Sequence, residues 1–172
     1  MKTKILGSIL MLGLATGVYW AQEKQAPKQE QPAAPAAGQA SPHNYNITQA
    51  EKDRKDPVRF TDLSADRGKK LYGSHCSMCH GEKADGKGDL AEEMKIQPPD
   101  LTNHELLTKR TDGELFAIIG GGSDIMPGEK ERMPEKQRWQ IVNYLRSVEG
   151  KTPAKATEEE RASENTAIVS PH

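Results

Sequence analysis

The sequence predicts an all-α fold: a small domain of short helices and long loops wrapped around something other than its own side chains. Three observations lead there. Helix-capping residues and helical spacing recur between residues 57 and 150, and no stretch alternates apolar and polar residues as a half-buried strand would. Hydrophobic residues make up only 34% of the 172-residue chain and aromatic residues 5%, a thin supply of core material. A core that small needs a staple, such as a metal or disulfides, yet Cys76 and Cys79 are the only cysteines and could close one disulfide at most. The net charge of −1 is an even mixture of signs, so nothing points to a nucleic-acid partner and none is expected.

Taken in order, Lys2 and Lys4 precede an uncharged run from Ile5 to Gln22. Residues 1–21 support two readings. One is a secretory signal peptide with Ala15-Thr16-Gly17 as its small-residue cleavage site. The other is an uncleaved membrane anchor: eighteen helical residues span roughly 27 Å, near the thickness of the hydrocarbon core. Tyr19 and Trp20 would then sit at the interface, with the lysines on the cytoplasmic side. The anchor is preferred, and either reading exports everything beyond residue 22. No cysteine adjoins the segment, which excludes a lipid-anchored lipoprotein. Residues 22–56, rich in Pro, Ala and Gln and then in charge, read as a flexible linker.

The folded domain is expected over 57–150. Its first helix runs over 64–76 with Ser64 as N-cap. A short helix follows over 88–95, then one capped by Thr102. Thr111 with Glu114 forms a capping box for a helix that ends at Gly120. The last helix has Pro134 in its first turn, an inward face of Trp139, Val142 and Leu145, and Gly150 as its stop. Residues 151–172 are polar and read as a disordered tail.

The two cysteines belong to Cys76-Ser77-Met78-Cys79-His80, a Cys-x-x-Cys-His pattern that marks c-type haem attachment. At a helix end this spacing lets both thiols reach neighbouring vinyl groups of one porphyrin, and the adjacent imidazole points at the iron. A haem also supplies the missing core. The competing readings fit less well. A redox dithiol wants a β-α-β context. A structural zinc wants four ligands, where only His75 or His104 could be recruited. A Cys76–Cys79 disulfide would close a tiny loop and stabilise little.

His80 accounts for one axial position. For the other, Met126 and Met133 each precede a proline. Met126, in the glycine-rich GGGSDIMPG loop, is the preferred ligand. Met133 reads as a residue docking the last helix, Met94 as a packing residue, and His104 as a runner-up ligand. A thioether favours Fe(II), and His/Met ligation closes the iron to substrate, leaving electron exchange as its chemistry.

These segments together resemble class I cytochrome c, in particular small bacterial monohaem and oxidase-associated domains. The resemblance covers residues 64–149 and rests on Gly68 to Tyr72 before Cys76-x-x-Cys79-His80, then on PPDLT, TDGELFAII, MPG and WQIVNYLRS. It implies a small cytochrome c fold around one covalently attached haem c with its iron. It implies that Gly68 and Tyr72 cross the last helix at Ile141 and Tyr144. It further implies that the Pro99 carbonyl accepts a hydrogen bond from His80 and that Leu101 packs on the haem. Arg59 and Arg110 are the candidates for the propionates. The expected function is that of an exported electron carrier on the periplasmic side of the cytoplasmic membrane, not an enzyme. Its partners would be protein donors and acceptors, with the membrane holding the N-terminal segment and no small-molecule substrate. The alternatives are a haem subunit of a periplasmic dehydrogenase or oxidase complex, and a five-coordinate haem sensor or enzyme.

Overall fold

A computed structural model of the chain describes residues 45–169, with side chains through Ser163. The expected anchor or signal peptide, 1–21, and linker residues 22–44 lie outside the described residues. The elements are α1 (Gln49–Lys52), α2 (Asp62–His75), α3 (Ser77–His80), α4 (Asp89–Met94), α5 (His104–Thr108), α6 (Asp112–Gly121), α7 (Glu135–Val148) and α8 (Glu158–Val169). Among the described residues there is no strand, only an isolated parallel bridge between Thr61 and Ala154, so the all-α expectation holds.

The core forms where α2 crosses α7. A Cβ at Gly68 would overlap the Gln140 carbonyl, so the backbones touch there because residue 68 has no side chain. One turn on, the Tyr72 and Tyr144 rings meet at 5.1 Å between centroids. From α6, Phe116 stacks on Trp139 at 4.0 Å, and Leu107 of α5 is fully buried. The buried aliphatic face of α7 includes Ile141, Val142 and Leu145.

Helix boundaries differ from the expected ones for local reasons. The cap of α2 is Thr61, not Ser64. The Thr61 hydroxyl accepts from the Ser64 amide while the Ser64 hydroxyl accepts from the Thr61 amide, so Ser64 is the inner half of a reciprocal box. Asn103 caps α5 in place of Thr102, whose amide and hydroxyl both donate to Asp100. The Thr111–Glu114 box starts α6 as expected, but the helix runs past Gly120 and stops at Gly122, at φ +67°. It continues because the returning loop supplies donors: the amides of Glu129 and Lys130 bond to the carbonyls of Ile119 and Gly120.

Two segments expected to lack structure are docked. Residues 45–56 are not linker: a Thr48–Glu51 capping box starts α1. The Thr111 hydroxyl donates to the Lys52 carbonyl at 2.6 Å, and the Arg54 guanidinium lies 4.5 Å from the Phe116 ring centroid. The start of the tail is likewise held. The Asp62 amide donates to the Ala154 carbonyl, Arg59 pairs with Glu160 at 2.6 Å, and Arg161 pairs with Asp62 at 3.0 Å. These long-range pairs overcome the weak burial potential of a polar sequence.

Candidate functional site

The cysteine motif sits at a bend between helices. Cys76 closes α2, its amide donating to Tyr72, and its carbonyl then accepts from Cys79 and His80 to wind the single turn of α3. Gly81 follows at φ +79°, where its carbonyl accepts from the Tyr72 hydroxyl at 3.0 Å. A Cβ on Gly88 would overlap the Met78 carbonyl, so the chain after the motif folds tightly back on it. Both cysteines are free and partly buried. Burial, with smaller contributions from Glu129 and Cys79, pushes the Cys76 thiol up to about 12, so it remains protonated. Burial also lowers the His80 imidazole, favouring the neutral form a metal needs.

Beside this turn lies an apolar cavity in two adjoining lobes, the larger of about 350 Å³. Six residues line both lobes: Tyr45, Cys76, His80, Pro99, Ile119 and Met126. Cys79 lines one lobe and Leu101 the other. The Met126 loop is held by the Ser123 amide donating to the Met126 carbonyl and the Met126 amide donating to the Ser123 hydroxyl. Met133 is buried at 2% exposure in the helical core and does not line the cavity. Met78 and Met94 are exposed. His104 is exposed on α5, off the cavity.

Some expectations change here. Pro99 lines the cavity, but His80 Nδ1 is buried with no hydrogen-bond partner among the described residues, so the expected bond to the Pro99 carbonyl is not made. Arg59 is engaged by Glu160 and lines neither lobe, whereas Arg110 lines the larger one. Several lining residues were missed, among them Tyr45 and Glu129. Tyr45 falls in the presumed linker, where the Thr48-x-x-Glu51 box was the available signal. Glu129 is a buried glutamate on the smaller lobe, 2.5 Å from Arg132 and 3.4 Å from His75. Nothing local in the sequence marks it.

The family model described as "Cytochrome C oxidase, cbb3-type, subunit III" matches residues 63–145. Residues 63–145 are a c-type cytochrome domain. A curated relative, the cbb3-type cytochrome c oxidase subunit CcoP of Azospirillum brasilense, is 30% identical over 94 residues, 54% of this chain and 31% of the relative. The chain thus spans about a third of the length of that relative. Among solved structures, a c-type cytochrome is 27% identical with a TM-score of 0.42, covering 47% of this chain and 95% of its own. Cytochrome cL of the marine methylotroph Methylophaga aminisulfidivorans is 22% identical with a TM-score of 0.44, covering 67% of this chain and 89% of its own.

A c-type cytochrome domain carries covalently bound haem c with its iron, and the residues present fit that group. The cavity wall is largely apolar, as a porphyrin plate requires. Two unbridged thiols, the Met126 thioether and the partly buried His80 imidazole meet on that wall, with Glu129, Arg132 and Arg110 as its charged members.

Proposed function

We propose that the protein is an exported one-electron carrier whose haem would be held by Cys76 and Cys79, with His80 and Met126 supplying the ligands to its iron. When bound, the haem supplies a one-electron Fe(III)/Fe(II) couple. The Cys76 and Cys79 thiols would hold it covalently, the His80 imidazole and Met126 thioether would hold its iron, and Pro99, Leu101 and Ile119 would help exclude water. Electrons then pass to and from protein partners, and the protein transforms no small molecule. The observation that carries this reading is the cavity membership of the methionines: Met126 shares both lobes with Cys76 and His80, and Met133 shares neither. Export rests on the sequence expectation for residues 1–21, as a cleaved signal peptide or as a retained anchor that would tether the domain.

The test is optical. Ferric protein with methionine ligation has a weak far-red charge-transfer band. Met126→Ala should lose it and bind carbon monoxide readily when reduced, while Met133→Ala should keep the band and lose stability instead. The reverse pattern would overturn the assignment. Similarity to CcoP favours a second reading, a haem subunit of an oxidase complex. Recovery of the full-length protein from detergent-solubilised membranes only in stoichiometric association with an oxidase core would establish that reading.

A further inference from the structure

Of the six residues that line both lobes of the cavity, Tyr45 alone lies outside the matched segment 63–145. Its position there is built by the arm that carries it. The α1 turn packs on the first turn of α6, where a Cβ at Gly113 would overlap the Glu51 carbonyl, so the absence of a side chain at 113 admits the arm. Three further contacts hold it: the Thr111 hydroxyl to the Lys52 carbonyl, Lys52 to Glu114 at 3.3 Å, and Arg54 to Glu135 at 2.8 Å. At the arm's start the Tyr45 ring is partly buried, with the Arg110 guanidinium 5.6 Å from its centroid. Both groups line the larger lobe.

We propose that residues 45–56 form a strap that seats the Tyr45 ring against the haem, where it shields the iron from water and small ligands. The proposal rests on the haem assignment above and extends it to a residue from outside the matched segment. An apolar ring in place of water lowers the local dielectric and disfavours the more highly charged ferric state. Tyr45 therefore tunes the potential and restricts entry to the iron, and Arg110 positions it.

The experiment uses the full-length holoprotein with Tyr45→Ala, Tyr45→Phe and Gly113→Ala, the last of which lifts the strap without touching the cavity. In the ferrous wild type, nuclear Overhauser cross-peaks should join Tyr45 ring protons to haem protons. In the ferric state, imidazole titrated at the Soret band should bind ~10-fold more tightly to Tyr45→Ala and Gly113→Ala, the effect of about 1.4 kcal/mol of lost closure. Tyr45→Phe should stay close to wild type because the ring does the shielding. Both open variants should show a lowered reduction potential. Absence of the cross-peaks, wild-type imidazole affinity in Tyr45→Ala, or a Phe variant as open as the Ala variant would each overturn the proposal. Should Gly113→Ala fail to fold, Tyr45→Ala, at the end of the arm, still decides it. Loss of the far-red band in wild type would defeat the Met126 assignment, while the cross-peaks would still decide the strap.

Discussion

Glu129 shows how a single residue can matter to this site without belonging to its motif. It is 4% exposed on the cavity wall, its backbone caps α6 through Ile119, and its carboxylate meets Arg132 and His75. An acidic group beside a haem stabilises the ferric iron, and the low dielectric of a buried wall strengthens the effect. Glu129→Gln should therefore raise the reduction potential, on the order of tens of millivolts. Spectroelectrochemical titration of the holoprotein checks this, and an unchanged or lowered potential would mean that Arg132 and His75 already neutralise the carboxylate. The same scale explains why Met126 and Met133 behave differently despite matching Met-Pro dipeptides. One stands in a loop pinned by Ser123, and the other is buried in the hydrophobic core cluster.

At the scale of elements, the helices are placed by a few long-range polar contacts as much as by apolar faces. Buried Arg146 of α7 reaches Asp112 at 2.6 Å, Glu149 at 2.7 Å, and the carbonyls of Leu107 and Arg110, so it ties α5 and α6 to the last helix. The docked tail depends on two carboxylates. The amide of Ala156, helped by Leu63 and Arg161, holds Asp62 down to about 2, and Arg59 with the Thr157 amide does the same for Glu160. Because their folded values lie below those of the unfolded chain, both groups stabilise docking at neutral pH and lose that contribution as pH falls from about 4 toward about 2. Asp56 works in the opposite sense. Burial raises it to about 6, so its ionisation opposes folding as pH rises from about 4 to about 6. Hydrogen exchange should thus show protection of the Ala154 and Ala156 amides collapsing between pH 4 and 2 while α2 and α7 remain protected. Tail amides that stay protected at pH 2 would show that the bridge to Thr61 suffices without the ion pairs.

For the whole molecule, the cavity lies against the core and shares its walls. Tyr72, Leu115, Ile119, Ile141 and Leu145 belong to both. The haem should therefore act as a structural element, stabilising the folded state by whatever it binds there and not in the unfolded chain. Cys76→Ser with Cys79→Ser should make the haem extractable into acidic organic solvent and lower the melting temperature by more than 10 °C, taking loss of roughly 2–3 kcal/mol in a domain of this size. Differential scanning calorimetry alongside a pyridine haemochrome assay measures both. Unchanged melting would mean that the helices close without the haem.

The haem-attachment motif and most helix starts were legible because each is local, as was the expectation that Met126 rather than Met133 stands near the motif. Cys-x-x-Cys-His, the Thr111–Glu114 box and a methionine among glycines state their geometry within a few residues. Two further boxes, Thr48–Glu51 and Thr157–Glu160, were equally local but lay in segments whose polar composition argued for disorder. What only the tertiary structure decided is where such weakly apolar pieces dock. Tyr45 reaches the cavity because Gly113 leaves room for the arm, Glu129 enters the wall because the loop returns to cap α6, and residues 154–161 hold to α2 through partners about a hundred positions away. Those contacts depend on chain closure, which residue order alone does not express.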